Sequence, residues 1–574
     1  MMSVWLTSRK RTALDEHGSR SGSTKRFKQQ TLTGSFDNAN LVTQASVDEA
    51  ILNLVVGAVL PLHTVEVQEF VDLIKMLQPN RDVLCHKTLR ARIAESASEN
   101  KRKLVSLMKG LDCVATTTDC WSAYGKAFIG VTVHWIDSGT LQRRSACLAL
   151  RWMTGRHTYD LIASTLENIH VEFGIRKKIA RTTTDNGANF VKAFSVFGEQ
   201  PTETPHDATA DADDDDHDDE PDVEGREVVD VYSTLSDNDS QTEYNLPRHQ
   251  RCACHTLNLI STADADMAEN DSHYKKVSRS AFAKCQALWN KYGRSVQAVE
   301  AVTDTFGIGL KRPNATRWNS VFLATERLVR LINEHENTFS DMCSQLDVPR
   351  FSDVEVAFLT EYVSIMRPVA QALNILQSEA KMYMAYLLPT ITSLKDKLHH
   401  KQVSATVCKP LLTALLKGLD RRFAEAFQDS EIIAAAILHP KFRQSWTHDQ
   451  SLLDTGLHHI RYLLSMESAA AAAATSTGGG DSASSDTDED SFFTQRRAPS
   501  TSGDVLAQYI NSTGDETAII AAWPQLKKLF IHSICGDCCQ TFSRRIEHTT
   551  PQRLQCCVVC LISSKHLIVV ISPY

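Results

Sequence analysis

Apolar and polar positions change their period along this chain, and the changes divide it. From Val47 to Asp112 the apolar residues recur at three-four spacing, in VDEAILNLVVGAVL before Pro61, VEVQEFVDLIKML before Pro79, and the longer KTLRARIAESASENKRKLVSLMKGL. That spacing predicts amphipathic helices, with proline as the stop. From Leu111 to Phe197 the period shortens. Three β-rich runs (DCVATTTDCW, AFIGVTVHWID, RSACLALRWM) precede a helical run, HTYDLIASTLENIHVEFGI, then a fourth β-run and a helix start in KIARTTTDNGANFVKAF. The helical period returns at about Ala263 and holds to Met466, through segments such as FLATERLVRLINEHENTFSDM and KPLLTALLKGLDRRFAEAF.

The resulting class is α/β plus α. The order β-β-β-α-β-α over 111–198 predicts an RNase H-like mixed sheet core, resumed at 247–262 and interrupted by an all-α insertion domain at 263–466. In such a core the first and fourth strands lie side by side and parallel. Asp119, at the end of the first run, and Asp185, at the end of the fourth, then converge at the sheet edge. Paired carboxylates suit a hard divalent cation and phosphoryl transfer. The helical region at 47–110 precedes the core. A basic tail at 1–46 and an acidic insert at 199–246 are expected to be disordered by composition, and 467–514 reads as a low-complexity linker. Residues 515–574 open with another helical element, DETAIIAAWPQLKKLF, before the chain changes character.

Composition narrows the class. The chain has 574 residues, 42% hydrophobic and 23% charged, as in soluble globular proteins. Its net charge of −8 owes much to the aspartate run around Asp211 to Glu224, so acidity does not argue against a nucleic-acid partner. The N-terminus MMSVWLTSRKR has no apolar h-region, and no apolar run reaches the roughly 18 residues of a spanning helix; no membrane is expected. The 15 cysteines are mostly scattered singly, consistent with reduced thiols. Arg9-Lys10-Arg11 and Lys25-Arg26-Phe27-Lys28 have the look of a bipartite nuclear-import signal or a phosphate-contacting arm.

Other stretches carry candidate chemistry. Cys252, Cys254 and His255 in RCACHTLNLI lack zinc spacing, and His255 suits a polar role beside the core. GLKRPNATRWNS breaks the helical pattern and brings together Lys311, Arg312, Arg317 and Trp318. Basic residues with an aromatic suit phosphate contact and base stacking; an indole anchoring a helix start is the equal alternative. In the tail, Cys535-x-x-Cys538 and Cys557-x-x-Cys560 have zinc-ribbon spacing. The adjoining Cys539 and Cys556 weigh against zinc, which is not expected.

Taken in order, TTTDCWS, HTYDLIASTL, TTTDNGANFVKAF, RCACHTLNLI, TRWNS, AAAILHPKFR and AAWPQLKKLF resemble the hAT-superfamily transposases, in particular the BED-finger/hAT-like proteins of animal genomes, many of them domesticated. The resemblance covers about Val47 to Phe530. It implies cut-and-paste DNA transposition by a DDE triad with two Mg²⁺ or Mn²⁺ ions, double-stranded DNA as partner, and a nuclear location. Asp119 and Asp185 match the first two acids. Cys252 and His255 match a Cys-x-x-His motif near that site, and Arg317 and Trp318 match a pair that handles flipped bases.

Two departures follow. No cysteine precedes Cys85, so a BED finger is not expected. The family's third acid, in a Glu-Arg-x-Phe-Ser motif, aligns with Cys539; Glu547 lies on the wrong side of Phe542-Ser543. The dimerisation helices that should follow are replaced by CCVVCLISSKHLIVVISPY, so the usual route to a homodimer is altered. The expected function is a transposase-derived nuclear DNA-binding protein without full catalytic activity. The competing functions are an active metal-dependent transposase or nuclease and a protein-interaction scaffold without DNA binding.

Overall fold

A computed structural model describes residues 42–123, 126–155, 158–199, 244–314, 318–378, 383–476, 502–514 and 516–534. The N-terminal basic clusters, His157, the acidic run, Arg317 and the tail with Cys535, Cys538, Cys539, Glu547, Cys557 and Cys560 lie outside them.

The chain is mostly helical around one mixed sheet of five strands. These are β1 (Val114–Ala123), β2 (Lys126–Ile136), β3 (Arg143–Met153), β4 (Ile179–Thr184) and β5 (His249–Arg251), in the order β3-β2-β1-β4-β5. β1, β2 and β3 are antiparallel neighbours; β4 lies parallel to β1, and β5 parallel to β4. The side-by-side, parallel placement expected of the first and fourth strands is therefore present.

Helices α1 (Gln44–Gly57), α2 (Gln68–Leu77) and α3 (His86–Lys109) precede the sheet. α3 joins two cores: Leu89, Ile93 and Ala97 pack with Val47, Ile51 and Val55 of α1, while Leu104 and Met108 pack under the sheet. Two helices complete that second core, α4 (Tyr159–Glu172) and α5 (Ala188–Phe197). Ile129, Val131 and Val133 of β2 are fully buried in it. A near-continuous apolar run such as FIGVTVHWI suits a strand covered on both faces.

The end of α3 is tied to the sheet by one cation. Lys178 Nζ donates to the carbonyl oxygens of Met108 (2.9 Å), Lys109 (2.8 Å) and Leu111 (2.7 Å), where the helix end leaves carbonyl acceptors open. The Lys178 carbonyl accepts from Val114 N at 2.8 Å, so the clamp also sets where β1 begins. Lys178→Met is expected to lower stability by about 2 kcal/mol, the range for hydrogen bonds to a charged group. Urea unfolding checks this; a loss under about 0.5 kcal/mol would show that solvent replaces the clamp.

The third core is helical. It runs through α6 (Ala253–Leu259), α7 (Ser272–Arg294), α8 (Val296–Phe306), α9 (Trp318–Glu334), α10 (Glu336–Gln345), α11 (Asp353–Leu376), α12 (Leu387–Gln402), α13 (Lys409–Arg422), α14 (Ala424–Gln428), α15 (Ser430–Leu438), α16 (Gln450–Ser476), α17 (Ser502–Ile510) and α18 (Pro524–Ile534). Local chemistry sets several ends. Ser352 and Glu355 form a capping box at α11. Glu361 accepts from the backbone N–H groups of Thr406, Val407 and Cys408, just ahead of α13.

Two expectations need correction. The linker expected at 467–514 is partly helical: α16 continues to Ser476 through an alanine run, which has the highest helix propensity, and α17 lies within the expected span. In α17, Leu506 and Tyr509 are buried, with Tyr509 Oη donating to the Leu438 carbonyl at 2.6 Å. Asp119 also does not end its strand. β1 continues to Ala123 because the β1–β2 hairpin outlasts β4; Asp119 stands just past the end of the β1–β4 ladder. Among the described residues no helix is long and apolar enough to cross a membrane.

Candidate functional site

The same tetrapeptide, Thr-Thr-Thr-Asp, occupies 116–119 on β1 and 182–185 at the end of β4. The parallel register pairs Thr116 with Thr182 and Thr117 with Thr183, so Asp119 and Asp185 stand two residues further on in step. Adjacent strands are roughly 4.8 Å apart, which brings the two aspartates together at the sheet edge. The six threonines are at most 1% exposed, and Thr116 and Thr182 share a 2.7 Å hydroxyl hydrogen bond, so the two strands hold each other in this register.

Both aspartates are half-buried. Their charges meet at Cys120: burial first, then Asp185 and Asp119, push its thiol above the ordinary range, so it stays protonated. Gly130 pairs with Asp119 across the hairpin and puts no side chain over it. Asp185 Oδ1 accepts from Gly187 N at 3.0 Å, which fixes the carboxylate at the entry to α5.

A polar chain runs below Asp119. Arg143 Nη2 donates to His134 Nδ1 at 2.7 Å, which leaves the Nε2–H tautomer to donate to Thr132 Oγ1 at 2.8 Å. Thr132 in turn bonds Thr117 Oγ1 at 2.5 Å, two residues from Asp119. Burial holds His134 well below its usual range and keeps it neutral.

α6 lies beside Asp185. Cys252 N donates to the Thr184 carbonyl at 2.8 Å, and Asn186 Nδ2 donates to Thr256 Oγ1 at 3.4 Å. Cys252 is buried at the start of α6, its backbone bonded to the residue before Asp185, and His255 is half-buried one turn on. Among the described residues, no group of three or more His, Cys, Asp or Glu side chains is placed to hold a metal ion.

Trp318 opens α9 and is 7% exposed. Its Nε1 donates to Tyr362 Oη at 3.2 Å, its ring stacks on Phe322, and its backbone N donates to Asn258 Oδ1 at 3.4 Å. This is the geometry of a helix anchor, and the buried ring presents no open stacking face. Lys311 and Arg312 are exposed on the preceding loop. Arg312 lies across Gly293, its guanidinium over the position a Cβ would take.

Sequence reasoning missed an ion network beside β4, buried at Arg181 and Asp429 and open to solvent at Glu431. Arg181 Nη2 contacts Asp429 Oδ2 at 2.8 Å and Glu431 Oε2 at 2.5 Å, and Arg248 contacts the same two carboxylates at 3.0 and 3.1 Å. No local spacing joins residues so far apart in the chain.

No family model matches the chain. Over 299 residues, 50% of this chain, it is 25% identical to a Zea mays protein named as an AC transposase, of which the match covers 32%. It is 26% identical over 268 residues to a Zea mays protein named as an AC9 transposase, covering 46% of this chain and 27% of the relative. A protein of Talaromyces stipitatus named as a transcriptional regulator, tpeD, is 29% identical over 145 residues, 25% of this chain and 17% of its own length. The matches thus span a third or less of these relatives. The chain is similar to transposases of the hAT type over about half its length.

Proposed function

We propose that this protein is a hAT-transposase-derived nuclear DNA-binding protein that does not complete strand cleavage. The observation that carries the reading is the pair of register-matched aspartates on adjacent parallel strands. The strand order, with helices packed against the sheet and an all-α segment following β5, supports an RNase H-like core interrupted by a helical insertion. The likeness to the maize transposases supports DNA as the partner.

Asp119 and Asp185 offer hard oxygen ligands, which suit Mg²⁺ or Mn²⁺ bound through two carboxylates with further oxygens from water and phosphate. Such a metal would activate water or a 3′-hydroxyl and stabilise the leaving oxygen. The chain's own residues would hold and orient it: Gly187 N and α6 fix Asp185, while the Thr117–Thr132–His134 chain supports the strand that carries Asp119. The third acid is what the chain lacks in the resembling register, where Cys539 stands. A metal site short of one carboxylate places the in-line displacement poorly, and small misplacements cost rate steeply.

The test is duplex binding and cleavage by the purified full chain. Expected are binding that weakens steeply with salt, through release of counterions, and no strand nicking in Mg²⁺ or Mn²⁺. Metal-dependent nicking abolished by Asp119→Ala would replace this reading with an active transposase. Absence of duplex binding at low salt would leave the scaffold reading.

A further inference from the structure

A groove of about 590 Å³ runs between α9 and α11 and is bounded at one end by Lys311. We propose that it is a binding track for the phosphodiester backbone of DNA, a surface separate from the two-aspartate site. The proposal rests on the DNA-binding reading and names where part of that binding occurs.

The groove follows from helical spacing. On α9 the positions Leu323, Arg327, Arg330 and Glu334 recur at three-four intervals and line it, while Phe322, Leu328, Leu331 and Ile332 are buried in the helical core. On α11, Thr360, Ser364 and Arg367 recur the same way, above buried Phe358, Leu359 and Ile365. Two largely polar stripes therefore line a shared channel together with the apolar Leu323, Val329 and Val363.

The channel is cationic. Lys311, Arg327, Arg330 and Arg367 line it against two acids, Glu326 and Glu334. Those acids hold their partners weakly. Arg367 Nε lies 3.2 Å from Glu326 Oε1 and Arg330 Nε 3.5 Å from Glu334 Oε1, with the arginine side chains 56% and 54% exposed. Exposed pairs of this kind contribute little and exchange partners readily. Lys401 of α12 donates to Ser364 Oγ at 2.8 Å and adds a cation at the wall. Arg327 Nη1 donates to the Gly309 carbonyl at 3.0 Å, which ties the loop carrying Lys311 to α9.

Charge and chemistry select the ligand. Arg327 and Arg330 on α9 and Arg367 on α11 set three guanidinium groups along one channel. Planar guanidinium groups also match phosphate oxygens in pairs, and Thr360 and Ser364 supply neutral donors beside them. The groove presents no exposed aromatic for base stacking, so it reads backbone and not sequence.

The experiment measures anisotropy of a labelled duplex with the full chain across salt concentrations. Arg330→Gln/Arg367→Gln is expected to reduce the slope of log K against log salt by about 2, near 0.9 for each phosphate contact. Glu326→Gln is expected to tighten binding several-fold. Lys409→Gln/Lys417→Gln, the same charge loss on α13, is expected to leave the slope in place. Wild-type binding with an unchanged slope in the groove variant would overturn the groove while leaving the DNA-binding reading intact. So would an equal loss in the α13 variant, or displacement of duplex by polyglutamate as effective as by unlabelled DNA at equal charge. No duplex binding by the wild type at low salt would overturn both. Arg330 and Arg367 are exposed, so unchanged melting of the variants confirms that folding is not what is read.

Discussion

Arg181→Ala is expected to lower the unfolding free energy by about 3–5 kcal/mol, the range for removing one partner of a buried ion pair. Arg181 is 5% exposed on β4. Its guanidinium serves Asp429 and Glu431 together, and Arg248 closes the network from the chain just before β5. Asp429 also caps α15, because its Oδ1 accepts from Glu431 N and Ile432 N. That helix, from Ile432 to Leu438, is buried throughout at the centre of the helical core. Without Arg181, Asp429 stays buried with half its positive charge gone, and both the cap and the seam between sheet and helices weaken. Burial acts to raise the Glu431 carboxyl, but Arg181 and Arg248 outweigh it and hold it below its usual range. Urea unfolding of Arg181→Ala, with Arg181→Met to separate charge from volume, measures the effect. A loss below about 1 kcal/mol in both would mean that water reaches the carboxylates and the network is not a seam.

The strands are legible in the sequence because their period and β-branched content are local properties. β4 lies inside the run that predicts it, β1, β2 and β3 overrun theirs by one or two residues at one end, and the β1–β4 pairing follows from their order. Asp119 and Asp185 stand out for the same reason. Their match in step is also written in the sequence, in the repeated Thr-Thr-Thr-Asp, but only the pairing register gives that repeat a meaning. What is not legible depends on distant contacts. Trp318 reads equally as an anchor or a stacking platform until Tyr362, 44 residues on, is seen to receive its N–H. The Arg181 network joins residues some 250 positions apart. The alanine run after Met466 reads as low complexity, although alanine is also the strongest helix former, and composition alone does not choose between these. The groove cations carry no signal of their own, because Arg327 and Arg330 look like an ordinary solvated helix face until α11 is set opposite them.

Acid should destabilise the fold well above the carboxylate range, and buried histidines are the reason. His170 of α4 is fully buried, and neither ring nitrogen has a hydrogen-bond partner. Burial pushes it down to about 4. His439, after α15, is 2% exposed and pushed down to about 4 by burial and by Lys441. His249, stacked on Phe194 at 4.5 Å, is pushed to about 4 by burial and by Arg251. In the unfolded chain each titrates near 6.5. Between pH 6.5 and 4 the unfolded state therefore binds more protons than the folded state, so stability falls as pH falls through this window and is whole above it. Each fully neutral buried histidine contributes a slope of about 1.4 kcal/mol per pH unit, and about 3 kcal/mol across the window. Carboxylates act lower: Glu355, whose bonds from Lys284, Ser280 and Ser352 outweigh its burial and hold it at about 2, loses its contribution only between about 4.5 and 2. Urea unfolding at pH 7, 6 and 5 thus reads chiefly histidine, against the opposite contribution of Glu167 and Asp266, whose carboxyls burial pushes up. His170→Leu, which keeps the site apolar, is expected to cut the slope by about 1.4 kcal/mol per pH unit. Stability that stays flat from pH 7 to 5 in the wild type would show that these rings open to water before they take up a proton.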